Sequence, residues 1–230
     1  MDSKIINEGA RVLQEEIAAL ERLKSNLNGK FEEAVKTISS AGKVIVTGVG
    51  KSGMIARKIA ATLSSVGIPA VFIHPVDALH GDLGLVSEND AAIMLSKSGS
   101  TEEIVRLVPY MKMRKARIIA IVGSMESLLS RSSDVALNAS VEREACPFNL
   151  APTSSSLAAL ALGDALAMAS IKVTGFDMED FSRLHPLGQL GRNISMQVKD
   201  IMHFGENLPL ISADTLFREA IIEITDKKLG

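Results

Sequence analysis

The chain reads as a doubly wound α/β protein built on a five-stranded parallel sheet of the flavodoxin or Rossmann-like kind. Three observations point there. Five short runs, at 44–46, 70–73, 91–95, 118–122 and 135–137, are rich in β-branched and apolar residues and are bounded by Gly, Pro, Ser or Asp. Each run is apolar throughout, which marks a buried strand. The stretches between them, such as 53–66 and 102–114, are long enough for crossover helices, and strands joined by crossovers run parallel.

Ahead of the first strand, Ile6, Leu13, Ile17, Leu20 and Leu27 fall on one helical face, which predicts a long amphipathic helix with a stripe to bury. Behind the last strand, Ser154–Thr174 is rich in Ala and Leu nearly all the way round, with Asp164 as its only acid. Such a helix has to be enclosed, by its own domain or by a partner subunit. The composition shifts after about Ser195, where 198–230 reads as a new strand, a turn and an amphipathic helix. Residues 1–197 are therefore expected to form one domain and 198–230 the beginning of another.

Composition excludes several functions. Twenty-five basic and 27 acidic residues leave a formal charge of −2, no electrostatic footprint for DNA or RNA. Seven Phe, one Tyr and no Trp offer few faces on which single-stranded bases could stack, so no nucleic-acid partner is expected. The single cysteine, Cys146, cannot form an internal disulfide, and 1–16 has no basic segment leading into an apolar one; both suggest a cytoplasmic protein. The most apolar stretch, 157–171, is shorter than the ~20 residues that span a bilayer and is interrupted by Gly163 and Asp164, so no membrane association is expected.

Two loops carry the chemistry. Thr47-Gly48-Val49-Gly50-Lys51-Ser52-Gly53 follows the first strand and opens a helix, where glycines let backbone N–H groups approach an anion. A Walker A loop needs a glycine five positions before Gly50, but Ile45 stands there. Gly48, Gly50 and Gly53 do fit a dinucleotide fingerprint, yet the second strand ends in Ile73 and His74 instead of the acid that binds a ribose. The second loop, Ser96-Lys97-Ser98-Gly99-Ser100-Thr101, sits at the end of the third strand with four hydroxyls, where ligands of open α/β sheets bind. Alone it could merely cap a helix. With the first loop at the same sheet mouth, a phosphorylated small molecule explains it better.

Gly50-Lys51-Ser52-Gly53, His80-Gly81-Asp82, Ser96-x-Ser98-Gly99-x-Thr101-x-Glu103, Glu144-Ala145-Cys146-Pro147, Leu150-Ala151-Pro152-Thr153-Ser154 and His185-Pro186-x-Gly188 occur in that order. Together they resemble the sugar isomerase (SIS) domain of D-arabinose 5-phosphate isomerases, over about Ile5 to Ile201. The resemblance implies interconversion of D-ribulose 5-phosphate and D-arabinose 5-phosphate, the first step towards the octulosonate sugar Kdo of bacterial lipopolysaccharide or capsule. It also implies a homotetramer whose subunits share active sites. The tail from Val198 looks like the truncated beginning of a CBS domain, the regulatory module that follows SIS domains in many such isomerases.

Moving a carbonyl between C1 and C2 requires a base at the adjacent carbon, acid catalysis at the oxygens and an enediolate intermediate. No cofactor is required for that chemistry. The catalytic candidates are Lys51, His80, Glu103, Glu144 and His185, each in a motif resembling one used by the family. Glu144 and His185 are expected to move protons, the former with a carboxyl pKa raised by partial burial. His80 would hold substrate hydroxyls or assist ring opening, Lys51 neutralise phosphate or enediolate, and Glu103 orient Lys51 or a hydroxyl. Gly50, Ser52, Ser96, Ser98, Thr101, Thr153 and Ser154 are the substrate- and phosphate-binding candidates. His74 resembles a position associated in the family with an optional, adventitious or inhibitory zinc.

The pattern is not uniform: Lys97 and Ser100 stand where relatives often carry Asn and Glu, and Leu187 replaces a glycine of a His-Pro-Gly-Gly sequence. Phosphoheptose or hexulose-phosphate isomerisation, and non-catalytic sensing of a phosphosugar, are the competing readings. The run 150–154 after Glu144 favours the arabinose type. Glu144, His80 and His185 argue against a sensor.

Overall fold

Alternation of side chains along the strands dictates two helical layers. Val44 and Val46 pack in one apolar cluster with Ile93, Leu95, Ile119 and Ile121, while Ile45 packs in another with Ala92, Met94, Ile118 and Ala120. Each strand therefore buries both faces, as a parallel sheet requires. In the computed structural model, which describes residues 3–186 and 197–228, these strands are β1 Val44–Gly48, β2 Ala70–Phe72, β3 Ala91–Ser96, β4 Arg117–Val122 and β5 Val135–Asn138. All pair in parallel in the order β2-β1-β3-β4-β5, with Val44 opposite Ala91 and Leu95 opposite Ile121. Each run read from the sequence forms the strand expected. The chain leaves β1 towards one edge and returns beside it as β3, so the carboxyl ends of β1 and β3 flank the switch point where ligands of such sheets bind.

The first layer consists of α1 Ser3–Ser25, α2 Gly29–Ser40, α3 Gly50–Ser65 and α7 Ser154–Thr174. The second holds α4 Pro75–Leu79, α5 Glu102–Met113 and α6 Leu128–Ser132. A short α8, Met178–Leu184, follows α7. Most of the stripe expected to be buried on α1 is instead exposed, Ile6 being 73% and Leu13 62% accessible, while Leu20 is half-buried against the core and Ala19 and Leu23 turn inwards. Two apolar stripes share that helix, and the one with the smaller side chain, alanine, packs against α7.

By length and composition α7 could cross a membrane, yet it lies against α1, α2 and α3. Its inner face carries Ala158, Leu162, Leu166 and Ala167; Met168 and Val173 remain exposed. Its own domain thus encloses one face of this uniformly apolar helix. Close approach to α3 depends on Gly163, where an added Cβ would collide with Ile59, a residue with no exposed surface.

Two compact units divide the chain, Met1–Leu184 and His185–Gly230. In the second, α9 Val198–Ile201 and α10 Phe217–Lys227 flank a single 3-10 turn, and no residue described there is buried. The strand expected after 198 is absent among the described residues: Val198 starts a helical turn, stabilised by the Gln197 N–H donating to Asp200 Oδ2 at 2.9 Å. Leu187 and Gly188 lie outside the described residues.

Replacing Gly163 by Val should destabilise the protein by about 1–3 kcal/mol, the usual cost of forcing methyl groups into a packed core. A lower urea midpoint at unchanged slope is the expected result, and an unchanged midpoint would show that α3 can move away.

Candidate active site

The turn from β1 into α3 is built by backbone contact. A Cβ on Gly48 would lie 2.8 Å from the Ser52 carbonyl oxygen, and one on Gly53 2.7 Å from that of Gly48. Only glycine at both positions lets the helix start directly above the strand end. Gly50, at φ 59°, turns the chain into α3. The first-turn residues Lys51 and Ser52 then face a cavity of about 200 Å³, also lined by Ser96 and Lys97 after β3, Gly123 after β4, and Pro152, Ser155 and Ser156 at the start of α7. That is smaller than the ~300–1,000 Å³ of sites for drug-sized ligands and suits a small polar molecule. Two helix N-termini, two lysines and several hydroxyls at one opening make it an anion site.

The loop after β3 is held by its own side chains. Ser96 Oγ accepts the Gly99 N–H at 3.0 Å and shares a hydrogen bond of 2.8 Å with Thr101 Oγ1, while Ser98 Oγ accepts the Ser100 N–H at 3.2 Å. These hydroxyls set the loop's shape, and Ser96 alone of the three lines the cavity.

Behind the cavity lies Glu144, with no exposed surface. Its Oε1 accepts from Lys97 Nζ and from Ser155 Oγ, each at 2.5 Å. Its Oε2 accepts from the Thr153 N–H at 2.8 Å, the Ser155 N–H at 3.1 Å and Thr153 Oγ1 at 3.2 Å. Burial is the largest single influence and pushes the carboxyl pKa up, but Lys97, the Ser155 hydroxyl and the two backbone N–H groups together bring it down to about 2. This reverses the expectation that burial leaves its pKa raised. A carboxylate this acidic and this fully hydrogen-bonded is a poor acceptor for a carbon-bound proton.

The remaining loop is pinned from outside. Glu144 N–H donates to Asn149 Oδ1 at 2.7 Å, Ala145 N–H to Thr153 Oγ1 at 2.9 Å, and Arg11 of α1 to the Ala145 carbonyl at 2.6 Å. Thr153, expected to bind substrate, is thus committed to the loop. Ser154 is buried with its hydroxyl unpartnered, and it does not line the cavity.

Of the other catalytic candidates in the first unit, none lines this cavity. His80 is exposed at the end of α4, and Glu103 forms no ion pair with Lys51 among the described residues. His185 opens the second unit. His74 Nδ1 accepts the Val76 N–H at 3.3 Å as a helix cap, and no group of three metal-ligating side chains occurs among the described residues. Sequence reasoning placed Lys97 in the second loop but missed Ser155 and Ser156 as lining residues. The run Ser154-Ser155-Ser156 was the available signal, but sequence does not fix which serine of a helix start faces inwards.

The buried carboxylate has a pH signature. Because its folded pKa lies below the ordinary ~4.3 of a free glutamate, its stabilisation is complete above that value and fades as pH falls towards 2. Roughly 3 kcal/mol of wild-type stability should disappear over this window. Glu144→Gln should lack that part of the pH dependence in urea unfolding; parallel curves for the two proteins would contradict the network.

Comparison with known proteins fits this geometry. The SIS domain family matches residues 37–169. An arabinose 5-phosphate isomerase, KdsD, of Francisella tularensis is 45% identical over 229 residues, 98% of this chain and 70% of that protein. The Escherichia coli K12 protein of the same name is 46% identical over 96% of this chain and 68% of its own length. Among solved structures, a protein of E. coli CFT073 in complex with arabinose 5-phosphate superposes with a TM-score of 0.77 at 38% identity, covering 81% of this chain and all of that one. The chain belongs to the SIS-domain family of arabinose 5-phosphate isomerases.

Proposed function

We propose that the chain interconverts D-ribulose 5-phosphate and D-arabinose 5-phosphate through an enediolate. The observation that carries this is the anion cavity at the β1/β3 switch point, in a chain about 45% identical to arabinose 5-phosphate isomerases. The phosphate sits against Lys51, Ser52 and the N-terminus of α3, since Lys51 is a cation without a carboxylate partner among the described residues. The loop of Ser96, Ser98 and Thr101 closes the other side. Neither a phosphoheptose or hexulose-phosphate substrate nor a purely sensing role is favoured by a specific feature of the site.

Proton transfer falls to His80 and His185, because Glu144 is enclosed by its own donors and does not line the cavity. His80 does not line the cavity and His185 belongs to the second unit; the family resemblance implies sites shared within a homotetramer. Support comes from apolar surface left exposed. Leu13 and Ile17 on α1 are 62% and 49% accessible, and Phe148 and Leu150, on the same loop as Glu144, are 79% and 78% accessible. A second copy covering these residues would approach the cavity from the loop side.

Residues 198–230 are read as the beginning of a CBS domain. The exposed Ile221, Ile222 and Ile224 of α10 are the apolar face such a segment would bury against further chain. The wider role, supply of arabinose 5-phosphate for Kdo in the cytoplasm, follows the same reading.

In heavy water, NMR should show ribulose 5-phosphate exchanging its α proton and yielding arabinose 5-phosphate; binding without exchange would make the protein a sensor. Lys51→Met should raise KM at least about tenfold, because a charge-assisted bond to the phosphate is lost. Mixing Lys51→Met chains, with their raised KM, and inactive His185→Ala chains under exchange conditions should restore a fraction of sites with the wild-type KM if sites are shared. No recovery would place the complete site in one chain.

A further inference from the structure

We propose that Lys97 is the electrophile that holds the substrate carbonyl oxygen and stabilises the enediolate, and that Glu144 is a positioning residue acting through it. The inference rests on the isomerase reading above and assigns a role that the family motifs do not give to this position.

Charge separates the two lysines of the cavity. Lys51 has no carboxylate partner among the described residues, whereas Lys97 is bonded to a fully buried Glu144 at 2.5 Å. The Lys97–Glu144 pair is neutral overall, so a phosphate dianion gains more from Lys51 and the α3 N-terminus. What Lys97 offers is direction. An ammonium carries three N–H donors; one is spent on Oε1, and the side chain remains 50% exposed, so donors are left for a ligand.

The carboxylate that orients Lys97 is itself immobilised by Thr153 and Ser155, at 2.8 Å and 3.1 Å from their backbone nitrogens. It cannot swing with the substrate. Lys97 is therefore a preorganised donor that need not rearrange when charge develops.

The chemistry uses this donor selectively. A base takes the proton from the carbon next to the carbonyl, and the C–H electron pair becomes the C=C bond of the enediolate. The carbonyl π pair moves onto oxygen, where an N–H of Lys97 meets it. A proton passes from the C1 hydroxyl to the C2 oxygen, the C=C pair takes up a proton at C2 as the C1=O bond forms, and the isomerisation is complete with no net oxidation. A charge-compensated lysine attracts the neutral carbonyl weakly and the enediolate oxygen much more, so its effect falls on kcat and little on KM.

The test is steady-state kinetics and solvent exchange on the full chain, with Lys97→Met, Lys97→Gln, Glu144→Gln and the double variant Lys97→Met/Glu144→Gln. Lys97→Met should lower kcat about 10²–10³-fold, the usual cost of losing one such donor, with KM and the inhibition constant of inorganic phosphate nearly unchanged. Lys97→Gln, which keeps a neutral donor, should fall between it and wild type. Glu144→Gln should lower kcat, and adding it to Lys97→Met should cost nothing further in kcat or in exchange.

Three results overturn the proposal: undiminished kcat in Lys97→Met; a raised phosphate constant with kcat unchanged, which makes Lys97 a phosphate ligand; or a further loss when Glu144→Gln is added, which makes Glu144 act on its own. If Glu144→Gln does not fold, the order of wild type, Lys97→Gln and Lys97→Met still decides the role of Lys97. A wild-type chain inert towards ribulose 5-phosphate would instead overturn the isomerase reading beneath it.

Discussion

A carboxylate without solvent contact organises the cavity. Removing a charge from water costs several kcal/mol unless partners replace the lost hydration. Glu144 recovers them from three places in the chain: Lys97 beyond β3, the Thr153 backbone and hydroxyl, and Ser155 in the first turn of α7. The connection between β5 and α7 contains no helix or strand, yet this one side chain ties its last residue and the start of α7 to the loop after β3. Removing any donor leaves a buried acceptor short of a partner, so the network behaves as a unit.

The fold brings those donors together. In a parallel sheet every strand ends on the same side, so the helix that follows begins there with its N–H groups pointing at the crevice. For α3 the link is immediate, because Gly48 and Gly53 permit backbone contact. For α7 it is indirect: β5 is the edge strand, and residues 139–153 carry the chain back until the first turn of α7 reaches Lys97 through Glu144. Gly163 then seats the middle of α7 against Ile59 of α3. The positive ends of both helices therefore open on one cavity, which explains why an anion site forms there with few charged residues.

The sheet was legible because its signals are local. Short apolar runs punctuated by turn residues fix the strands, and the glycine spacing of 48–53 fixes the first anchor of the site. What failed depends on partners distant in sequence. Glu144 beside Arg143 gives no hint that its neighbours will be Lys97 and the backbone of Thr153 and Ser155, since main-chain donors leave no mark in side-chain identity. The error about its pKa follows: burial was foreseen, the donors that outweigh it were not. On α1 the periodicity was real but double. Ala19 and Leu23 make a second apolar line beside that of Leu13 and Ile17, and sequence alone does not say which one meets the sheet.

The lysine at 97 illustrates how a charge can be added to an anion site without changing its field. A free second ammonium would hold every sugar phosphate more tightly, substrate and product alike, and uniform binding does not lower the barrier. Held at 2.5 Å from a carboxylate that never protonates near neutral pH, the ammonium adds donors while the net charge of the pair stays zero. The field that draws the phosphate then remains that of Lys51 and the helix ends. The added donors act only where new negative charge appears, at the oxygen of the enediolate.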